Sequence, residues 1–284
     1  MCEKESKLLI VDGSNLLFQM FYGMPARIFN KEGKPIHGTL GFVGALLKII
    51  RLTMPTHALV LFDGECKNER KELDEGYKAN RPDFSQMAEE ETPFSQLSDI
   101  YKALDFLKIQ HAETTVCETD DIVAAYALRY GKEMKVVISS FDSDFFQLIT
   151  EKVSILRYRG ENSVLCDEKY VQEKFSVLPC QYADYKCLVG DTADNIKGVK
   201  GIGPKTAARL ISQFGDLDEL LNNTSQITKP SVKKAIEEET ERIILNRRLI
   251  KLCGCQEHPF EMKQLVYSYN GEKTGEVLFA IGVK

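Results

Sequence analysis

Four short apolar runs punctuate the chain, with helical periodicities between them. Leu8 to Val11, Ala58 to Phe62, Lys135 to Ser139 and Val153 to Leu156 have the length and β-branched content of strands. Runs such as LLIV and ALVLF carry no polar alternation, as expected of strands covered on both faces. Phe94, Leu97, Ile100, Leu104 and Leu107 recur at spacings of three and four, which puts them on one face of a helix. Strands separated by helices predict an α/β fold, a mainly parallel twisted sheet flanked by helices.

Composition adds bounds. With 284 residues, 43% hydrophobic and 28% charged, the chain can bury a sizeable core and suits one large domain or a main domain with a smaller lobe. A formal charge of −5 argues against a generally basic nucleic-acid binder, although local sign can differ. The eight cysteines form no Cys-x-x-Cys pair, so they read as reduced thiols rather than a zinc site. The start leads directly into the first strand, and no apolar stretch reaches the roughly 18 residues of a membrane span. A cytoplasmic, unanchored protein is expected.

The residues after the strands carry the chemistry. LLIV is followed by Asp12, ALVLF by Asp63, and KVVISSF by Asp142 and, two residues on, Asp144. Ligands of open parallel sheets bind beyond the carboxyl ends of the strands. One aspartate there is ordinarily a turn former or helix N-cap, but three strands delivering carboxylates to one rim are harder to explain so. Glu118, Asp120 and Asp121 open a further helix, where acidic residues also suit the helix dipole, and Asp191 and Asp194 stand in VGDTADN. Nine carboxylates sharing a site would repel strongly. Mg²⁺ or Mn²⁺ resolves that repulsion through oxygen ligands, and two such ions about 3.5–4 Å apart can hydrolyse a phosphodiester.

Two segments differ from the rest. Residues 66–91 are polar, charge-dense and poor in large apolar side chains, the composition of a solvated surface excursion. From Gln181 to about Leu252 the chain turns helical, and residues 195–235 hold seven basic against three acidic residues, opposite in sign to the whole. Within GVKGIGPKTAARL, Gly201 and Gly203 permit a tight backbone path and Pro204 starts a helix. Its N-terminus, with Lys200, Lys205, Thr206 and Arg209 nearby, suits a backbone phosphate and implies salt-sensitive binding without sequence preference.

LLIVDGSNLLFQMFY, ALVLFDG, GYKANRP, CETDDIVAAYA, ISSFDSDFFQL and LVGDTADNIKGVKGIGPKTAARLI, in this order, resemble the 5′ nuclease superfamily: the 5′-to-3′ exonuclease domain of bacterial DNA polymerase I and stand-alone flap endonucleases. The resemblance implies a PIN-like nuclease core over residues 1–180 with a helical arch at about 66–95, a helix-hairpin-helix DNA-binding lobe over 181–252, and a C-terminal segment, 253–284, packing on the core. It implies two-metal catalysis, with Asp12, Asp63, Glu118, Asp120 and Asp142 or Asp144 around the first ion, Asp144, Asp191 and Asp194 around the second, and Asp121 beside them. Lys78 and Arg81 match arch residues that meet the scissile phosphate, with Tyr22 against the terminal base. Backbone carbonyls of Leu188, Val189, Lys197, Val199 and Ile202 match a K⁺ site.

The family pattern Gly-Asp-Lys-Asp is replaced here by Phe141-Asp142-Ser143-Asp144, which removes a cation from the expected metal region. The expected activity is that of a metal-dependent structure-specific 5′ nuclease in DNA replication and repair, acting as a monomer on branched or 5′-flap DNA and on RNA–DNA primers. A DNA-structure binding module with little or no nuclease activity is the alternative. A minimal acidic-site ribonuclease is disfavoured by the hairpin and arch motifs.

Overall fold

The computed structural model describes residues 5–64, 69–84, 86–254 and 258–283. In chain order the elements are β1 (Lys7–Asp12), α1 (Gly13–Gly23), α2 (His37–Thr53), β2 (His57–Asp63), α3 (Glu69–Leu73), α4 (Leu97–Phe106), β3 (Gln110–Thr114), α5 (Thr119–Tyr130), β4 (Lys135–Ser139), β5 (Val153–Arg157), β6 (Val164–Cys166) and α6 (Glu168–Phe175). There follow α7 (Tyr182–Val189), β7 (Gly190–Asp191), β8 (Ile196–Lys197), α8 (Pro204–Phe214), α9 (Leu217–Asn222), α10 (Pro230–Glu238), α11 (Thr240–Ile250) and α12 (Thr274–Ala280).

The main sheet has the order β3-β2-β1-β4-β5-β6. Every pairing is parallel except β5 with β6, so the α/β class read from the apolar runs holds. β1 is central: Leu8, Leu9 and Ile10 are fully buried, as a strand with helices on both faces requires. Leu8 and Ile10 join the apolar layer that includes Ile122 and Tyr126 of α5, whereas Leu9 and Val11 join that of Phe42, Leu46 and Ile49 of α2. Successive side chains of one strand thus feed two opposite layers.

The two strands absent from the apolar pattern, β3 (QHAET) and β6 (VLC), are the two edges of the sheet. β3 is largely polar, as a half-solvated edge strand can be, whereas β6 is apolar but only three residues long, too short to stand out as a run. The helix expected from Phe94 to Leu107 is α4, preceded by a 3-10 turn at Pro93–Gln96. Ile100 and Leu104 are buried, but Phe94 is 45% exposed.

The segment expected as a helical arch is mostly irregular. Among its described residues, only Glu69–Leu73 is α-helical, with 3-10 turns at Glu89–Glu91 and Pro93–Gln96; residues 66–68 and 85 lie outside the described ones. Asp74, Gly76, Asn80 and Pro82 favour turns over helix continuation. Cys166, Cys180, Cys187 and Cys253 are free thiols, whereas Cys2, Cys66 and Cys255 lie outside the described residues.

The tail packs against the end of the sheet where β2 begins. Tyr267 donates its N–H to Thr56 O at 2.8 Å, and Ala58 donates to Leu265 O at 2.9 Å. Val277 and Leu278 of α12 are buried, and Val277 joins the layer of α2 and α4.

Candidate metal centre and nucleic-acid interface

The acidic residues sit where parallel strands end. Asp12, the last residue of β1, caps α1 by accepting the Asn15 N–H at 3.0 Å and accepts Ser140 Oγ–H at 2.8 Å. Asp63 ends β2 beside it, its own N–H donated to Ser14 Oγ at 2.8 Å. After β4 the chain turns sharply: Asp142 Oδ1 accepts the Asp144 N–H at 2.7 Å, and Asp144 opens a 3-10 turn. Asp120 lies in the first turn of α5.

Burial, and after it mutual repulsion, weakens their acidity. Burial, with Asp63 and Asp142 nearby, pushes the Asp12 carboxyl up to about 7. Burial also raises Asp120 well above the ordinary carboxylate range, with Asp142, Asp12 and Asp63 adding to it. Asp144 is raised by burial and by Asp142 and Asp191, although Lys186 opposes the shift. Such carboxyls are held close at an electrostatic cost that a hard cation would relieve.

The nine carboxylates do not form one cluster. Asp144, Asp191 and Asp194 offer oxygens that all lie within 4.8 Å of one another, an all-oxygen donor set that suits a hard divalent ion. Asp12, Asp63, Asp120 and Asp142 form the adjoining group through the couplings above. Glu118 and Asp121 are already paired. Arg70 of α3 makes two hydrogen bonds to Asp121, at 2.7 and 3.1 Å, and a further one to Glu118. Glu118 also accepts Lys78 Nζ–H at 2.9 Å and the Tyr77 hydroxyl at 3.2 Å. Burial would raise Glu118, but Lys78 and Arg70 hold it below its usual value.

Lys78 and Arg81 of the excursion reach this rim from above. Arg81 Nη2 donates to Asp194 Oδ1 at 2.9 Å. Burial would lower the Lys78 ammonium, yet Asp120, Glu118 and Asp194 hold it above its usual value. The backbone aims both: Lys78 is left-handed at φ 56°, and its N–H donates to Asp194 O at 2.9 Å. Asn195, also left-handed, donates Nδ2–H to Gly76 O at 2.8 Å.

The hairpin region follows directly. β7 and β8 pair antiparallel, which places Asp191 and Asp194 on a short ribbon between α7 and α8. Gly201 takes φ +83°, a conformation that favours glycine, and Gly203 is the N-cap of α8 with Pro204 in the first turn. Lys200, Gly201, Gly203, Lys205 and Arg209 are exposed, and Thr206 is half-buried. Of the five carbonyls matched to a K⁺ site, Leu188 O accepts Val199 N–H at 2.8 Å, Lys197 O accepts Asn246 Nδ2–H at 2.8 Å and Val199 O accepts Ile202 N–H at 3.0 Å. Each keeps a second lone pair. Tyr22 on α1 is 58% exposed and contacts Phe18 and Phe21 through tilted or edge-on rings.

Two residues beside the carboxylates were passed over in the sequence. Arg70 lay within a charge-dense stretch where one arginine has no distinguishing mark. Lys186 is a lone cation in the otherwise apolar face of YADYKCLV, and that isolation was its signal. Its Nζ donates to the carboxylates of both Asp144 and Asp191. Where Ser143 leaves the loop without a cation, Lys186 supplies one from another element, 3.5 Å from Ser143 Oγ. Phe141 is seated by cation–π contacts with Arg157 and Arg159 at 5.2 and 5.3 Å.

Comparison with known proteins covers nearly the whole chain. Residues 7–176 match the family model "5'-3' exonuclease, N-terminal resolvase-like domain", and residues 177–273 match "5'-3' exonuclease, C-terminal SAM fold". The thermostable DNA polymerase I of Thermus thermophilus is 35% identical over 87% of this chain and 28% of its own length. DNA polymerase I of Bacillus subtilis strain 168 is 30% identical over 97% of this chain and 31% of its own. The chain therefore spans under a third of these relatives. The crystal structure of T5 D15 protein co-crystallised with metal ions superposes at a TM-score of 0.71 with 26% identity, covering 87% of this chain and 89% of that one. A T5 D15 flap endonuclease complex with DNA and metal ions gives 0.70 and 25%, covering 87% and 89%. The catalytic core of Rad2 with a DNA substrate gives 0.59 at 16% identity, covering 98% and 93%, a likeness of fold alone.

Proposed function

The chain belongs to the 5′-3′ exonuclease family, and from that premise we propose that it is a structure-specific 5′ nuclease dependent on divalent metal. It hydrolyses phosphodiester bonds near 5′ ends and flaps of branched DNA, RNA–DNA primers included, in replication and repair. The observation that carries this reading is a carboxylate rim met from one side by Lys78 and Arg81 and continued on the other into the α7–α8 hairpin. The T5 D15 relatives solved with metal ions and with DNA support it.

The three-aspartate cluster fits one hard cation, and we assign a second to the adjoining carboxylates. Asp144, Asp191 and Asp194 would hold one, and Asp12, Asp63, Asp120 and Asp142 the other, with Glu118 and Asp121 behind them. Mg²⁺ or Mn²⁺ bound there would make a water more acidic and neutralise charge on the leaving oxygen. The chain's own residues do the rest. Lys78 and Arg81 exchange their carboxylate partners for the scissile phosphate and stabilise its developing charge. Tyr22 offers a ring to the terminal base. The N-terminal turn of α8, flanked by Lys200, Lys205 and Arg209, holds the duplex backbone without reading sequence. K⁺ at the hairpin carbonyls would stiffen that grip.

We assign the nuclease core to residues 1–180, the duplex grip to 181–252 and a bracing segment to 253–284, in a protein that acts as a monomer in the cytoplasm. The test is a labelled 5′-flap duplex incubated with and without Mg²⁺ and K⁺. Mg²⁺-dependent cuts near the branch are expected, and they should disappear in Asp144→Ala. Flap binding that is indifferent to Mg²⁺ and yields no product would instead identify a DNA-structure binding module.

A further inference from the structure

Lys186 is only 4% exposed, and a lysine is rarely buried so deeply unless paired. Its pairing is specific: the ammonium contacts one carboxylate oxygen of Asp144 and one of Asp191, two members of the three-aspartate cluster. Resting on the reading of that cluster as a divalent-ion position, we propose that Lys186 is its built-in counter-ion, which competes with the divalent ion and sets its affinity.

The argument is one of shared volume and charge. A hard ion binds carboxylate oxygens at about 2.0–2.1 Å, so an ion ligated by Asp144 and Asp191 needs the space between them that the ammonium holds. Binding requires the ammonium to withdraw, and the flexible four-carbon stem permits that. The tether makes the exchange intramolecular: the competitor stays at high local concentration however far the solution is diluted. Lys186 also differs from the other cations at the rim. Arg70, Lys78 and Arg81 arrive on the excursion, whereas Lys186 rises from α7 beneath the site, so movement of the excursion cannot remove it. The same charge lets the rim fold before an ion arrives, because clustered buried carboxylates without compensation destabilise a fold.

Two effects of opposite sign follow. Lys186→Met should melt at a lower temperature in EDTA, and it should bind Mn²⁺ at least tenfold more tightly in one of two steps seen by titration calorimetry. Saturating Mn²⁺ should therefore raise its melting temperature by more than that of the unsubstituted chain. Lys186→Gln should behave alike, whereas Lys186→Arg, which retains the charge, should bind Mn²⁺ within a few-fold of the unsubstituted affinity. Folding of the Met and Gln variants only when Mn²⁺ is present would be the same result in stronger form. Unchanged or weaker Mn²⁺ binding by a folded Met or Gln variant overturns the proposal, and so does failure of both to fold even with Mn²⁺. Asp191→Asn separates the underlying reading: if it leaves both Mn²⁺ steps intact, the cluster is not a metal position at all.

Discussion

Lys78 holds a left-handed backbone at φ 56°, uncommon for a residue with a side chain, while its ammonium rests on Glu118. Local strain of this kind persists where surrounding contacts over-determine it, here the Lys78 N–H to Asp194 O bond. Lys78→Ala should slow single-turnover flap cleavage by about 10²–10³-fold, the range for losing one preorganised charge stabiliser, with a much smaller loss of flap affinity. Equal losses in both would assign Lys78 to binding. Asp12 carries a pH prediction. Its carboxyl is held at about 7 in the folded chain against 3.8 for the free group, so between these values the folded state binds more protons than the unfolded one. Metal-free stability should fall as pH rises from about 4 to 7, by on the order of a few kcal/mol. Asp120 and Asp144, raised likewise, act in the same direction. Thermal melts in EDTA at pH 5.5 and 8 check this, and saturating Mn²⁺ should erase the decline.

Under the proposed function the hairpin between α7 and α8 joins two chemistries in one element. Lys205→Ala on α8 should weaken duplex binding and reduce the slope of log affinity against log salt by about one, with the cleavage rate of bound substrate retained. A backbone prediction belongs here too. A Cβ at Gly198 would lie 2.3 Å from the Val189 carbonyl carbon and 2.7 Å from Leu188 O. Gly198→Ala should therefore cost about 1–3 kcal/mol by overpacking, visible in a denaturant titration, and should disturb K⁺-dependent binding more than Mn²⁺ binding. At this scale the sequence was legible wherever interior strands demanded unbroken apolar runs, and illegible where elements are half-solvated or very short. β1, β2, β4 and β5 announce themselves, but of the two edge strands β3 is largely polar and β6 is only three residues long. The rim was legible because aspartates after parallel strands have few other reasons to coincide. The pairing of Glu118 and Asp121 with Arg70 was not, since it depends on the path of a turn-rich excursion that no periodicity constrains.

On the scale of the molecule, the tail explains itself only in three dimensions. Leu265, Tyr267, Val277 and Leu278 are each buried, though they are scattered among polar residues that hide any periodicity. At about 1.5–3 kcal/mol for each large apolar side chain buried, truncation after Leu252 would remove stability comparable with the 5–15 kcal/mol typical of a whole domain. The shortened chain should be insoluble or melt far below the full one by calorimetry.

The ribbon of β7 and β8 has a metrical consequence. Asp194 and Gly203 are joined by a stretch pinned through the buried side chains of Ile196, Val199 and Ile202, which fixes the spacing between the three-aspartate cluster and the N-terminus of α8. Under the proposed function the protein would work as a gauge: wherever it seats on a duplex, the incision would fall a set number of nucleotides from the gripped strand, whatever the sequence. Lengthening that stretch by one residue should shift the position of every cut together, rather than blur it.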